Sequence, residues 1–370
     1  MSIDPAFLHA TTPVPRLDVE GDVVALTAAV VDVFSVSHHE AALADAVESA
    51  LTGRPHLQVR RDGNTVIART DLGRDQRVVV AGHLDTVPEH DNLPSRFETV
   101  DGQERLYGLG ACDMKGGVAV ALHLAATLSA PTRDVTWLFY EAEEVEEEHN
   151  GLRRIAQSNP QWLAGDFAVV MEPSNAGIEA GCQGTMRMEV RATGKRSHSA
   201  RSWMGENAIH KLAVALDRLN SYQPRRVMVD GLEYREGLNA VAVSGGVAGN
   251  VIPDEAVLAV NYRFAPSRSA DEAEQHLREL FDGFELTVTD RIDGALPGLG
   301  QPAAEAFLAA VGGEPKPKFG WTDVARFSML GVPAVNYGPG DPMLAHTRDE
   351  FTPVAQVRAV EAGLRAWLLS

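Results

Sequence analysis

The sequence predicts an α/β fold: a central sheet of buried strands flanked by helices, with an α+β unit inserted along the chain. Three observations carry this. Short apolar runs such as Val78-Val79-Val80-Ala81 and Val135-Thr136-Trp137-Leu138-Phe139-Tyr140 read as strands buried on both faces. Segments with apolar residues at helical spacing lie between them. From about residue 182 the pattern changes to a β-α-β-β-α run, the order of a compact inserted unit. At 370 residues the chain exceeds one typical core, so two domains are expected.

Val23, Leu26, Ala29, Val30 and Val33 recur at helical spacing, and Ala41 to Leu51 repeats the pattern. The loop between them, Ser35 to Glu40, holds adjacent His38 and His39, which are expected to be solvated. Leu57 to Arg69 reads as a hairpin around Asp62-Gly63-Asn64. The strand over 77–82 runs into His83-Leu84-Asp85-Thr86-Val87-Pro88. Positions i and i+2 of an extended segment point the same way, so His83 and Asp85 can share a face. They stand at the carboxyl end of the strand, where open α/β sheets bind ligands. Residues 91–107 read as a polar excursion.

Gly108 to Gly117 is glycine-rich and leads into an apolar helix from Val118 to Leu128. Its spacing fits neither the dinucleotide nor the P-loop fingerprint, but Asp113 ahead of a helix is placed to reach a cation. The strand Val135–Tyr140 runs into the acidic stretch Glu141 to Glu148. An acidic run is ordinarily a solvated face. Here its first members, and not its last, fall at the sheet edge. A strand from Asp166 to Met171 ends in Glu172-Pro173-Ser174 in the same way. A set of His/Asp, Asp, Glu/Glu and Glu at such positions suggests a divalent-metal site.

In the insert, Thr185 to Thr193 alternates as a strand, Ser197-His198-Ser199 follows, and a helix is expected from Asn207 to Leu219. Strands are expected near 239–247 and 255–264, and a helix from Ala270 to Phe281. Val332 to Tyr337 reads as a strand, His346 lies beyond it, and a last helix spans 353–368 with Pro353 at its first position.

The formal net charge of −18 argues against nucleic-acid and anionic-membrane partners, which need a basic footprint. No basic-then-apolar leader opens the chain and no run of 18 apolar residues occurs, so neither a signal peptide nor a membrane span is expected. Two cysteines, Cys112 and Cys182, cannot build a disulfide framework, which suits a reducing cytoplasm.

In order along the chain, His83-Leu84-Asp85-Thr86-Val87-Pro88, Gly108 to Gly117, Glu143-Glu144, Glu172-Pro173 and His346 resemble the motifs of the dinuclear zinc amidohydrolases and exopeptidases. That family includes succinyl-diaminopimelate desuccinylase, acetylornithine deacetylase, aminoacylase and glutamate carboxypeptidase. The resemblance implies a zinc exopeptidase-like fold with a central mixed sheet. It divides the chain into a first catalytic part over 1–181, a lid and dimerisation domain over 182–290 and a second catalytic part over 291–370.

The resemblance implies two Zn²⁺ per subunit, with Co²⁺ as a substitute. His83 and Glu172 would bind one ion, Glu144 and His346 the other, and Asp113 would bridge both, often with a cis peptide to the next residue. Asp85 would support His83, Glu143 would be the general base, and His198 would stabilise an oxyanion across a homodimer. Asn250, Arg263 and Thr322 would hold substrate carboxylates. Cys112 reads as packing.

The family has an Asp before its Glu pair, where this chain has Ala142, and glutamates at 146–148 leave the frame open. Glu143-Glu144 keep the family's distance from the strand. Gly249 to Pro253, Tyr262-Arg263-Phe264 and Thr322 to Phe327 resemble the desuccinylases and deacetylases, the actinobacterial-type desuccinylase above all. Cys182-Gln183-Gly184-Thr185 stands where many desuccinylases carry an Arg. The implied reaction is hydrolysis of the N-acyl amide of a small carboxylate-bearing amino acid, N-succinyl-LL-2,6-diaminopimelate first. A deacetylase of acetylornithine, a dipeptidase and a non-catalytic ligand-binding relative are the alternatives.

Overall fold

The computed structural model describes residues 14–370; residues 1–13, which open the stretch expected to lack a signal peptide, lie outside the described residues. The chain divides into two compact units. The first comprises residues up to 178 with 305–314 and 336–370, and the second comprises 179–304 and 315–335.

The first unit begins with α1 (Val23–Asp32) and α2 (Ala41–Leu51). Asp22 caps α1 by accepting the Val24 N–H. Next come the hairpin β1 (Gln58–Asp62) and β2 (Thr65–Arg69), then β3 (Arg77–His83). Residues 91–107, read as a polar excursion, instead hold the hairpin β4 (Arg96–Val100) and β5 (Gln103–Tyr107). Most of β4 is exposed, so no apolar alternation announces it. Helix α3 (Lys115–Thr127), β6 (Asp134–Tyr140), α4 (Gly151–Ser158) and β7 (Phe167–Val170) follow.

These strands lie in the order β1-β2-β6-β3-β7. β3 runs parallel to both β6 and β7, whereas β2 is antiparallel to β6, so the sheet is mixed. Val78 to Ala81 are at most 1% exposed, because a strand central to a parallel set is covered on both faces.

The second unit carries β8 (Glu179–Ala180), β9 (Gly184–Thr193), β10 (Ser197–His198), α5 (Ala208–Ser221), the hairpin β11 (Arg226–Val229) and β12 (Leu232–Arg235), β13 (Gly237–Gly245), β14 (Val251–Ile252), β15 (Glu255–Phe264), α6 (Ala270–Leu280) and β16 (Glu285–Ile292). An antiparallel sheet in the order β13-β15-β9-β16 forms its centre. Met186, Met188 and Val190 of β9 and Leu258, Val260 and Tyr262 of β15 bury one face of it with Leu212 of α5 and Leu277 of α6. Ser269 and Glu272 form a reciprocal capping box at the start of α6.

Helix α7 (Pro302–Val311), β17 (Lys316–Pro317), α8 (Val324–Met329) and β18 (Ala334–Asn336) lead the chain back to the first unit. There β19 (Phe351–Pro353) joins β5 antiparallel, and α9 (Val354–Leu369) packs on α1 and α3. Pro353 is not the first helical residue: with ψ at 128° it is extended, pairs opposite Arg105 and caps α9 from outside. Among the described residues no helix is long and apolar enough to cross a membrane.

Candidate metal centre

Three adjacent parallel strands deliver side chains to one edge of the first unit's sheet. His83 is the last residue of β3. Glu143 and Glu144 follow β6, which ends at Tyr140, and Glu172 follows β7, which ends at Val170. Asp113 comes from the loop ahead of α3. That helix lies against the strand ends because Gly117 has no side chain; a Cβ there would sit 2.3 Å from the Met171 carbonyl oxygen. His346 comes from the turn after Pro342–Leu344, with a left-handed φ of 62°. Such backbone is uncommon outside glycine and is concentrated at functional sites.

Asp113 sits between the two imidazoles. Its Oδ1 is 3.2 Å from His83 Nε2, and its Oδ2 is 3.5 Å from His346 Nε2. Glu172 Oε1 is 4.0 Å from His83 Nε2, and Glu144 Oε1 is 2.9 Å from His346 Nε2. His83–Asp113–Glu172, Asp113–Glu144–His346 and His83–Glu143–Glu144 each bring their ligand atoms within 4.8 Å of one another. The Asp113–Met114 peptide is cis.

The electrostatics of this cluster fit divalent cations. Burial alone would lower His83, but hydrogen bonds with Asp113 and Asp85 raise it well above 6.5. Hydrogen bonds with Asp113 and Glu144 raise His346 to about 10. Burial opposes ionisation of Asp113, yet the two imidazoles hold it below the usual carboxylate range. The carboxylates thus draw protons onto both rings, and a cation in their midst would take over that role. His83 Nδ1 meets the main-chain oxygen of Asp85 at 3.0 Å, which leaves Nε2 toward Asp113.

Asp85 does more than stand behind His83. Its carboxylate, 3.5 Å from His83 Nδ1, accepts the N–H groups of Glu143 and Glu144 and the Ser37 hydroxyl. Glu40 accepts the N–H of Ala142, whose φ is 56°. The loop 35–40 therefore clasps the Glu143-Glu144 turn through Ser37 and Glu40. Its histidines are exposed, and His38 packs edge-on against His149. Lys115 is fully buried, donates to the carbonyls of Val31 and Val33, and is lowered by burial to about 7. Sequence reasoning missed Ser37, Glu40 and Lys115, because their partners, the Asp85 carboxylate and main-chain groups far along the chain, are revealed by no spacing.

Of the remaining acidic run, Glu147 and Glu148 lie in a short turn, with Glu148 largely exposed. Cys112 is buried, points at the Asp341 carbonyl and, among the described residues, belongs to none of the groups that could hold a metal.

In the second unit, His198 ends β10 and pairs opposite Val251 of β14. Its Nδ1 accepts the Ala200 N–H at 3.0 Å, which leaves Nε2 as the donor of the neutral ring. Asn250 is its neighbour: the Asn250 carbonyl accepts the Ser199 N–H. Arg263 stands opposite Thr185 on β9, and burial together with Arg187 lowers its pKa. Thr322 is 4% exposed, and its carbonyl lies 3.8 Å from Cys182 Sγ.

A family model described as peptidase family M20/M25/M40 matches residues 79–369. A Mycobacterium tuberculosis protein provisionally named succinyl-diaminopimelate desuccinylase is 55% identical over 355 residues, 95% of this chain and 99% of that protein. A succinyl-diaminopimelate desuccinylase of Corynebacterium glutamicum is 49% identical over 365 residues, 96% of this chain and 98% of that protein. Among solved structures, an aminopeptidase of Bacillus cereus superposes with a TM-score of 0.76 at 17% identity, covering 94% of this chain and 97% of that one.

Proposed function

The chain belongs to peptidase family M20/M25/M40, and from that premise we propose that it hydrolyses N-succinyl-LL-2,6-diaminopimelate to succinate and LL-2,6-diaminopimelate. The observation that carries the substrate is the near-full-length identity to the two desuccinylases. The hydrolytic chemistry is supported by Asp113, whose two oxygens face two different imidazoles.

His83 and Glu172 would hold one divalent ion and Glu144 and His346 the other, with Asp113 shared. Zinc suits a set of imidazole and carboxylate donors, and cobalt would substitute. When bound, such ions supply a Lewis acid for the amide carbonyl and lower the pKa of water to about 7.

The chain's own residues do the rest. Glu143 takes a proton from the attacking water on its carboxylate and passes it to the departing amine nitrogen, a contribution of ~10²–10⁴-fold. Asp85 fixes the main chain of Glu143 and Glu144 and, behind them, His83. The N–H at His198 Nε2 of a second copy, supplied across the homodimer, donates to the oxygen that gains charge as the carbonyl is attacked. Arg263 binds a substrate carboxylate as a fork, with Asn250 and Thr322 as further donors.

The stretch 182–290 serves as lid and dimerisation domain. Its edge strand β13 exposes Val241 and Val243, and α5 exposes Ile209, Val214 and Leu216, a surface that suits a second copy of the chain. The enzyme works in the cytoplasm, a placement supported by two free, buried cysteines.

The test is steady-state kinetics of zinc-loaded protein on N-succinyl-LL-2,6-diaminopimelate, N-acetylornithine and a dipeptide. The succinyl substrate should give the highest kcat/KM. A preference for the acetyl substrate or the dipeptide would sink the assignment, and no turnover of any of them with zinc bound would make the chain a ligand-binding relative.

A further inference from the structure

Glu350 lies outside the donor set, and no step above uses it. We propose that Glu350 is a positioning residue that fixes the loop Gly110 to Asp113, so that Asp113 presents one oxygen to each imidazole before any cation arrives. This rests on the dinuclear reading of the preceding subsection.

The geometry is a carboxylate received by the main chain. Glu350 Oε2 accepts the Gly110 N–H at 3.0 Å, and Oε1 accepts the N–H groups of Cys112 at 2.9 Å and Asp113 at 3.0 Å. Gly110, at φ 74°, turns the chain so that its N–H converges on the same carboxylate as the other two. Glu350 is 2% exposed. Its carbonyl accepts the Gly108 N–H, and Phe351 beside it pairs opposite Tyr107. The loop is thus held at its entrance and at the residue that carries the shared ligand.

The same segment holds the other side of the site. The Glu350 N–H donates to the Thr347 carbonyl, closing the turn that follows His346. Glu350 therefore ties the position of Asp113 to that of His346. A carboxylate suits this place better than an amide. Three N–H donors need acceptors on both oxygens, and glutamine has one carbonyl oxygen. In either orientation its NH₂ faces at least one N–H donor. Alanine leaves all three donors without their acceptor in a buried loop.

The test compares wild-type protein with Glu350→Gln and Glu350→Ala. Zinc affinity is read by competition with a chromophoric chelator, and folding by circular dichroism. Amide exchange at Gly110, Cys112 and Asp113 is read in the metal-free wild type. Supporting the liganding residues of a metal is typically worth ~10–100-fold in affinity, so Glu350→Ala should weaken zinc binding by about that factor, with Glu350→Gln in between. The loss in activity should fall on kcat more than on KM. The three wild-type amides should exchange far more slowly than those of the exposed Asp101-Gly102 turn.

Wild-type zinc affinity in folded Glu350→Ala would overturn the proposal, as would exchange of the three amides as fast as the exposed turn. If Glu350→Ala does not fold, Glu350→Gln and the wild-type exchange rates decide. Wild-type protein that takes up zinc but leaves the succinyl substrate intact would instead refute the functional reading, and the chelator and exchange results would still judge Glu350.

Discussion

The carboxylate of Asp85 accepts the main-chain N–H of Glu143 at 3.0 Å. Its second oxygen accepts the N–H of Glu144 at the same distance and the Ser37 hydroxyl at 2.8 Å. Asp85, behind His83, thus also sets the backbone of the proposed base and of the proposed ligand next to it. Asp85→Asn keeps the shape but points an NH₂ at one of those donors. We expect kcat to fall ~10–100-fold with KM little changed, measured by steady-state kinetics alongside the metal content of the same sample.

Glu143 and Glu144 are adjacent, yet Glu144 contacts His346 directly. Glu143→Ala should lower turnover by ~10²–10⁴-fold while both ions remain bound. Glu144→Ala should lose metal. Elemental analysis of the purified variants separates the two, and zinc lost from Glu143→Ala with retention in Glu144→Ala would exchange their roles.

Removing the metal should make stability depend on pH in a set direction. In the metal-free protein the Asp113 and Glu144 carboxylates raise His346 from 6.5 to about 10, and Asp113 and Asp85 raise His83. A raised folded-state pKa contributes stability that is complete below the unfolded value and lost as pH climbs through the folded one. Chelator-treated protein should therefore lose thermal stability between pH 6.5 and 10, more than metal-loaded protein does. Differential scanning calorimetry of both forms across that range checks it, and parallel curves would count against the cluster's charge pattern.

Metal uptake should release protons for the same reason, because both imidazoles must give up a proton to bind. Calorimetric titration with zinc in buffers of different ionisation enthalpy reads the number released. Affinity should fall as pH is lowered.

Gly117→Ala should destabilise the first unit. The new methyl would meet the Met171 carbonyl oxygen at 2.3 Å, a backbone atom that cannot swing aside. The loss should be ~1–3 kcal/mol by denaturant titration, the usual penalty for overpacking.

Much of the fold was legible in the sequence. The strands ending at His83, Tyr140 and Val170 are apolar throughout or nearly so, and a strand buried on both faces announces itself by composition. The β4–β5 hairpin was not legible, because its polar residues face solvent and carry no alternation. Four of the proposed ligand and base residues, His83, Glu143, Glu144 and Glu172, end or follow those apolar runs, whereas Asp113 and His346 lie in loops and were marked by motif order. The loop 35–40 drew the eye to His38 and His39, while the contacts to the site come from Ser37 and Glu40.

By itself the sequence determined the fold class, the family and the residue types at the sheet edge, since hydrophobic period and motif order are local properties of the chain. Only the tertiary structure decided that Asp113 stands between His83 and His346, that Asp85 holds the Glu143-Glu144 turn, and that Glu350 receives three amides of a loop some 240 residues earlier. Those contacts are hydrogen bonds to main-chain atoms and pairings across long sequence separations. Every residue has the same N–H to offer, so nothing in a side-chain pattern says which carboxylate will receive it.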